Sequence, residues 1–186
     1  IDRFDKVHIT TTPKNFLSIV DYKSGNRSFD YRKAFAGLEL QLMTYWSAML
    51  ANLDQLPADT TMGSVAFWSL KNEVLKVGQQ LEPAPYEDLL RQADEKRQTQ
   101  GTYSGVILHD DDFLQQMVNE AVKSPYKIKF NKNGSVAKKG SDVTGPEVID
   151  TLVAFNEAKI QEIAAKILAG QFELAPYRDN QSTGLQ

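Results

Sequence analysis

The chain has 186 residues, of which 41% are hydrophobic and 24% are charged, a composition typical of one globular domain with a sizeable core. It contains no cysteine, which excludes disulfides and cysteine-ligated zinc or iron–sulfur centres within the chain. The net charge of −3 argues against a uniformly basic nucleic-acid-binding protein, and no apolar run reaches the about 18 residues of a membrane helix, so we expect no membrane association.

The first third of the chain changes its hydrophobic period from that of strands to that of a helix. Apolar and polar residues alternate over 3–9, and a more apolar run covers 16–22, which predicts a hairpin of two strands. From 31 to 53 the period becomes helical and predicts one continuous helix. Its apolar stripe consists of Phe35, Leu38, Leu42, Tyr45, Met49 and Leu53. Residues 62–70 predict a third strand.

The middle of the chain is more polar. A polar helix is predicted over 86–99, with turns at Gly101 and Gly105, and we expect residues 71–105 to form a lid or a partner-facing insertion. Asp110 is placed to cap a helix over 111–123. Since acidic residues also favour the amino end of a helix, Asp110, Asp111 and Asp112 indicate a cap rather than a metal site.

The last part of the chain predicts a hairpin and a long helix. Residues 126–130 and 135–138 flank a Gly-containing turn. Pro146 suits the first turn of a helix that Gly170 would end. The apolar stripe of this helix consists of Ile149, Leu152, Val153, Ile160, Ile163 and Ile167. The tail 171–186 is polar and is expected to be loosely ordered. Together the elements predict a mixed α/β chain.

Basic residues concentrate in two segments of this otherwise acidic chain. Residues 1–33 hold seven Lys or Arg against four Asp or Glu, and residues 123–139 hold six Lys and no acid. Such basic faces on an acidic body would suit a DNA-binding groove. Lysines solvated on a hairpin would explain the same pattern without any ligand.

The stretch "VDYKSG" at 20–25 ends a buried strand on a charged pair. Asp21 and Lys23 share one face of the strand, and in the predicted hairpin Asp2 lies near Asp21, so their carboxylates can approach. Two carboxylates, the backbone carbonyl of Tyr22 and water would form an oxygen-rich site suited to Mg²⁺ or Mn²⁺. The alternative is an ordinary salt bridge at a solvated strand end.

Three further side chains fit phosphodiester hydrolysis at such a site. Lys23 would orient or help to deprotonate an attacking water, or stabilise charge on a phosphate that the metal polarises. Gln41 and Tyr45 lie four residues apart and share a helix face, where they would contact a scissile phosphate or a nucleic-acid strand. The alternative is a Gln bonded to backbone and a Tyr that packs.

Three motifs in order carry a family resemblance: Ile1-Asp2-Arg3, "IVDYKSG" and "GLELQLMTY". They resemble the RecB-type nuclease domain of the PD-(D/E)XK superfamily, and in particular the C-terminal nuclease region of AddB/RexB subunits of bacterial helicase–nucleases. The resemblance implies an α/β fold with a restriction-endonuclease-like core, in which helices flank a mixed central sheet. The motif residues match Asp2, Asp21, Lys23, Gln41 and Tyr45.

The resemblance also implies a function. It suggests a Mg²⁺-dependent DNA exonuclease or deoxyribonuclease, in which Mn²⁺ is expected to substitute, without an iron–sulfur cluster in this chain. Such a domain would act on linear DNA ends and single strands beside an AddA/RexA-type helicase subunit, in recombinational repair of double-strand breaks in the bacterial cytoplasm. The alternative is a catalytically silent module of the same fold, which forms a DNA-channel wall or docks the helicase partner.

The chain is then expected to be a single-domain fragment of a longer protein. Its parts would be a motif-bearing core over 1–70, the insertion over 71–105, further helices and the lysine-rich hairpin over 106–170, and the tail. Contacts to DNA are expected from Ser24, Arg27, Lys127, Lys129, Lys132, Lys138 and Lys139. We expect His8 to lie on the surface, and Trp46 and Trp68 to belong to the core.

Overall fold

The computed structural model describes residues 1–9, 12–25, 27–70, 75–118, 125–137 and 139–172, except for the side chains of 97–100. Its strands are β1 Arg3–Ile9, β2 Lys14–Lys23, β3 Thr60–Ser69, β4 Tyr103–Leu108 and β5 Val143–Thr144. Its helices are α1 Tyr31–Phe35, α2 Gln41–Leu50, α3 Tyr86–Gln100, α4 Asp111–Met117 and α5 Pro146–Leu168, with a 3₁₀ turn at Leu53–Gln55. No helix among the described residues is long and apolar enough to cross a membrane.

The five strands form one mixed sheet in the order β1-β2-β3-β4-β5. β1 and β2 are antiparallel, β2 and β3 are parallel, β3 and β4 are antiparallel, and β4 and β5 are parallel. The chain must cross over between β2 and β3, and α1 and α2 make that connection, as parallel strands require. The predicted α/β class with a mixed central sheet is confirmed.

One face of the sheet packs against α2 and α5 to form the main core. Alternate residues of β2, β3 and β4 point to this side because the side-chain period of a strand is two. Fully burying each large apolar side chain contributes about 1.5–3 kcal/mol. The buried members are Leu17, Ile19, Leu42, Met43, Trp46, Met62, Val65, Phe67, Val106 and Ile149. Trp46 is thus a core residue, as predicted.

The opposite face carries two smaller clusters. Near the start of β2, Phe16 stacks on Phe113 of α4 with ring centroids 4.7 Å apart. Near its end, the half-buried Trp68 packs on Tyr103, whose ring stacks on that of Tyr126. Trp68 therefore belongs to this second face rather than to the main core.

α4 begins at the predicted acidic cap. The Asp110 carboxylate accepts the N–H of Phe113 at 3.1 Å, and the ammonium of Lys14 lies 3.1 Å from carboxylate oxygens of both Asp110 and Asp112. The hydrogen bonds to these carboxylates raise the pKa of Lys14. The predicted cap at Asp110 is confirmed. The helix ends at Met117, and the rest of its predicted span partly lies outside the described residues.

The single helix predicted over 31–53 is wrong. The chain forms α1, a turn and then α2, because Gly37 adopts φ +81° and reverses the backbone. The turn is held by Glu39, which is 4% exposed and accepts the Asp30 N–H at 2.8 Å. As a result Phe35 and Leu38, two members of the predicted apolar stripe, are 71% and 51% exposed.

The turn predicted at Gly105 is also wrong. Gly105 lies inside β4, opposite Ala66 of β3. A Cβ there would lie 1.9 Å from the carbonyl oxygen of Val65, so glycine permits the close approach of two backbones. Residues 103–105, expected in the insertion, therefore belong to the central sheet.

The last segment follows the prediction more closely. The hairpin turn has Gly134 at φ +82°, although only the bridge between Phe130 and Val136 pairs its arms among the described residues. α5 begins at Pro146 and ends before Gly170, which has φ +69°. The predicted apolar stripe is buried only at its start, because Ile160, Ile163 and Ile167 are 38%, 36% and 54% exposed. Residues 173–186, most of the predicted tail, lie outside the described residues.

Candidate active site

The β1–β2 hairpin brings Asp2 and Asp21 to the same end of the sheet. Arg3 pairs with Val20, and the Asp2 N–H donates to the Val20 carbonyl at 3.3 Å. The Asp2 carboxylate then accepts the backbone N–H of Tyr22 at 2.7 Å. The predicted register is present, and it places the exposed Asp2 carboxylate beside the last residues of β2.

Asp21 is 4% exposed and belongs to a closed ring of four hydrogen-bonded side chains. The Lys23 ammonium lies 3.1 Å from both oxygens of Asp21 and donates to Gln41 Oε1 at 2.9 Å. Gln41 Nε2 donates to the Tyr45 hydroxyl at 2.6 Å. The Tyr45 hydroxyl returns to Asp21 Oδ2 at 3.2 Å. The structure thus brings together the charged strand pair and the helix pair singled out from the sequence.

Packing of α2 explains why Gln41 and Tyr45 face the end of β2. The buried residues of α2 are Leu42, Met43 and Trp46, and they lie against the sheet. Gln41 and Tyr45 flank this apolar face one helical turn apart. The rotation that buries the apolar residues therefore points the polar pair at Asp21 and Lys23.

The electrostatic surroundings keep the Tyr45 hydroxyl protonated. Burial raises the pKa of Tyr45 above its ordinary value, the hydrogen bond from Gln41 opposes this, and the negative charges of Asp21 and Asp2 raise it further. The phenol therefore remains a hydrogen-bond donor to Asp21 around neutral pH. The charges of Asp2 and Asp21 therefore both act on this phenol.

The donor set at this location fits Mg²⁺. No group of three or more His, Asp or Glu side chains in the described part of the chain is arranged to hold a metal. Mg²⁺, however, is usually bound by one or two carboxylates together with waters and substrate phosphates. Asp2 and Asp21 supply two carboxylates, and the Lys23 ammonium already contacts Asp21 as a cation. The participation of the Tyr22 carbonyl stays a prediction.

Three residues beside the ring were not predicted as members of the site. The Phe67 ring lies under two cations, with Lys23 Nζ at 5.2 Å and the Arg27 guanidinium carbon at 5.8 Å from its centre. Glu39 Oε1 lies 3.5 Å from Arg27 Nη2. An acid within the apolar run "GLELQL" was the available signal for Glu39.

Ser69 is the third unpredicted residue and holds the loop after β2. It lies opposite Lys23 across β2 and β3. Its hydroxyl donates to the Gly25 carbonyl at 2.9 Å and accepts the Arg27 N–H at 3.1 Å. Ser24 and Arg27 are exposed in this loop. Only the strand register could have identified Ser69.

The structure separates the lysines that were predicted to bind DNA. Lys127 reaches the sheet, where its ammonium lies 3.4 Å from Ser104 Oγ. Lys129, Lys132 and Lys139 are exposed in or beside the hairpin, and Lys138 lies outside the described residues. His8 is an exposed residue whose Nδ1 pairs with Asn15 Oδ1 at 2.9 Å, as predicted.

The chain is similar to known proteins along its whole length. Residues 1–182 match the family described as the PD-(D/E)XK nuclease superfamily. Three curated relatives are each named as a subunit of an ATP-dependent helicase/deoxyribonuclease. That of Limosilactobacillus reuteri is 32% identical over 100% of this chain, that of Levilactobacillus brevis 29% over 100%, and that of Oenococcus oeni 32% over 97%. The chain spans 14%, 16% and 15% of their respective lengths.

Proposed function

The chain belongs to the PD-(D/E)XK nuclease superfamily, and on that premise we propose that it is the metal-dependent deoxyribonuclease domain of a helicase–nuclease subunit. The observation that carries this proposal is the hydrogen-bonded ring of Asp21, Lys23, Gln41 and Tyr45, with Asp2 beside it. A buried acid, a lysine and a second acid at one strand end are the groups that phosphodiester hydrolysis needs.

Asp2 and Asp21 are the residues proposed to hold Mg²⁺, with the Tyr22 carbonyl as a further ligand and Mn²⁺ as a substitute. When bound, the ion would polarise a phosphoryl oxygen and make a coordinated water more acidic. The hydrogen bond from the Tyr22 N–H holds the Asp2 carboxylate. The hydrogen bond from Tyr45 does the same for Asp21.

Lys23 is proposed to act on the substrate. Its ammonium would orient the attacking water or stabilise the charge that develops on the phosphate, as preorganised donors do. Gln41 holds the ammonium at 2.9 Å, so Lys23 has an anchor that does not depend on Asp21. Tyr45 remains protonated and donates to Asp21. Gln41 links Lys23 to Tyr45.

Substrate, partner and cellular role are proposed from the relatives. Their name joins an ATP-dependent helicase to a deoxyribonuclease, and this chain covers a small part of their length. We propose that the domain cuts linear DNA ends and single strands beside an AddA/RexA-type helicase subunit. Its role would be the processing of double-strand breaks for recombinational repair in the bacterial cytoplasm.

One observation favours a second candidate. The described residues contain the two carboxylates of Asp2 and Asp21 at this strand end but no group of three or more metal ligands. A catalytically silent module of the same fold, serving as a DNA-channel wall or a docking surface for the helicase partner, would not need a third. This candidate predicts DNA or partner binding without hydrolysis.

The deciding experiment compares hydrolysis of linear single- and double-stranded DNA by this chain and its Asp21→Asn variant. Both are assayed with Mg²⁺, with Mn²⁺ and with a chelator, and the same pair is made in the longer parent protein. Asn keeps an oxygen for the Tyr45 hydrogen bond but removes the charge. Metal-dependent cutting that Asp21→Asn abolishes supports the nuclease. DNA binding with no cutting by either wild-type protein would favour the silent module.

A further inference from the structure

A row of three cross-strand neighbours leads away from the ring across the sheet. Asp21 of β2 lies opposite Phe67 of β3, and Phe67 lies opposite Ser104 of β4. Strands are spaced about 4.8 Å apart, so the row extends about 10 Å from the proposed metal site. Phe67 and Ser104 share their sheet face with Asp21, because directly opposed residues point to the same side. All three are buried, so a ligand would meet the side chains that lie beside the row rather than the row itself.

Basic side chains from two separate segments of the chain lie beside this row. Lys23 and Arg27 lie over the Phe67 ring at 5.2 Å and 5.8 Å, and the side chain of Arg27 is 47% exposed. Lys127 comes from a distant segment and lies at the Ser104 hydroxyl. In the described part of the chain, no carboxylate lies within ion-pair distance of the Lys127 ammonium. Lys23 and Arg27 are paired with the buried Asp21 and Glu39, so the row has cationic hydrogen-bond donors along its length and, among the described residues, an ammonium without such a pair at Lys127.

Two aromatic rings stand beside the far end of the row. Phe29 donates its backbone N–H to Ser104 Oγ at 3.1 Å, and its ring meets Tyr31 edge-on with centroids 5.0 Å apart. Tyr31 is 43% exposed, and its hydroxyl is hydrogen-bonded to Thr144 Oγ1 at 3.0 Å. Tyr31 is therefore an accessible aromatic ring that is held in place by Phe29 and Thr144.

We propose that the accessible groups beside this buried row form a binding track for single-stranded DNA, in which phosphates contact Lys23, Arg27 and Lys127 and one base stacks on Tyr31. This inference rests on the proposed function, because it identifies the path of the substrate to the same site. Cations that follow the backbone together with an exposed aromatic ring are the usual means of binding single strands. The aromatic ring favours a single strand, since the bases of a duplex are already stacked.

Substitution of Asp142 provides a test in which DNA affinity is expected to rise rather than fall. Its carboxylate accepts the Gly105 N–H at 3.0 Å, and its negative charge interacts with the positive charge of Lys127. An Asn in its place keeps an acceptor for Gly105 but removes the charge. Asp142→Asn is therefore expected to tighten DNA binding, whereas loss of Lys127 weakens it.

The experiment measures fluorescence anisotropy of a labelled oligothymidylate of about 12 nucleotides with the 186-residue chain in EDTA, so that no cutting occurs. We expect Lys127→Gln and Tyr31→Ala each to weaken binding about fivefold or more. Lys127→Gln should also lower the slope of log K against log salt by about 0.7. Asp142→Asn should bind more tightly, and Lys6→Gln, which removes an exposed lysine of β1, should bind within about twofold of wild type.

Two conservative variants separate loss of the track from loss of the fold. Tyr31→Phe keeps the ring and Lys127→Arg keeps the charge, so both should bind nearly as wild type while thermal melting confirms folding. Unchanged affinity and salt slope in folded Lys127→Gln and Tyr31→Ala would overturn the track. Because binding is measured without metal, this result is independent of whether the wild-type chain cuts DNA in Mg²⁺, which tests the proposed function.

Discussion

The Lys23 ammonium lies 2.9 Å from Oε1 of Gln41, although 18 residues separate the two along the chain. One is at the end of a strand and the other is the first residue of a helix. The contact gives Lys23 a neutral anchor besides the Asp21 carboxylate. A cation that enters the site and occupies Asp21 would therefore leave the lysine still positioned.

Removal of the Lys23 charge should slow cutting. In the proposed function Lys23 assists the water or the phosphate, and such groups contribute about 10²–10⁴-fold. We expect Lys23→Met to lower the single-turnover rate by that range. Lys6→Met, at an exposed residue of β1, is the matched control and should cut as wild type. A rate for Lys23→Met within about threefold of wild type would contradict this role.

Gln41 and Tyr45 should act as one unit. Residues that orient a metal ligand typically contribute about 10–100-fold to metal affinity or activity, so Gln41→Ala and Tyr45→Phe should each lower the rate by that range. Because they share a hydrogen bond of 2.6 Å, the double variant should lose less than the product of the single losses. A double-mutant cycle of cleavage rates measures this. Independent effects would show that the ring is not a functional unit.

Asp2 should control metal affinity. Asp2→Asn keeps an acceptor for the Tyr22 N–H but removes one of the two carboxylate charges proposed to hold the metal. We expect the Mg²⁺ concentration for half-maximal cutting to rise at least about tenfold, because ligand charge sets affinity for hard cations. Asp54→Asn, at an exposed residue after α2, should leave the titration unchanged. Wild-type metal dependence in Asp2→Asn would exclude Asp2 as a ligand.

A methyl group at Gly105 should destabilise the sheet. The added Cβ would collide with the Val65 carbonyl oxygen, and such overpacking costs about 1–3 kcal/mol, occasionally more. Gly25→Ala is the control, because its Cβ would meet nothing within 4 Å. Its free energy of unfolding should stay within about 0.5 kcal/mol of wild type. Urea unfolding monitored by circular dichroism measures both. Equal stability of the two variants would contradict the close approach of β3 and β4.

Asp142 should give the fold a distinct pH dependence. Burial raises its pKa, while the Gly105 N–H and Lys127 oppose the rise, so the folded state holds its proton to higher pH than the unfolded state. The contribution of Asp142 to the free energy of unfolding therefore falls as the pH rises from the ordinary pKa of Asp through its raised pKa in the folded state. The melting temperature of Asp142→Asn minus that of wild type should increase across that pH interval. Above it the difference should stay constant. A constant difference from acidic to neutral pH would contradict the shift.

Local sequence features were enough to predict most of the elements. Alternating residues predicted β1, the apolar run predicted β2, and Pro146 and Asp110 marked the helix starts, because each signal depends on neighbours in the chain. Asp21 and Lys23 fall on one strand face by period, and Gln41 and Tyr45 on one helix face. These same-face relations are local and needed no tertiary information.

The failures have a common physical origin in contacts between distant segments. The break between α1 and α2 depends on the buried Glu39 and on the packing of Gly37 against Lys159 of α5. Likewise, Gly105 resembles a turn residue in sequence, whereas the approach of β3 decides that it belongs to a strand. Neither neighbour is visible in the local pattern.

The sequence by itself determined the residue types of the candidate site, their order along the chain and the hairpin that pairs Asp2 with the end of β2. Only the tertiary structure decided that α2 closes the ring over Asp21, that Arg27 and Glu39 lie beside it, and that Lys127 alone among the described hairpin lysines reaches the sheet. The reason is that strand register and helix rotation are set by burial of apolar residues far apart in the chain, and polar side chains are placed by that packing.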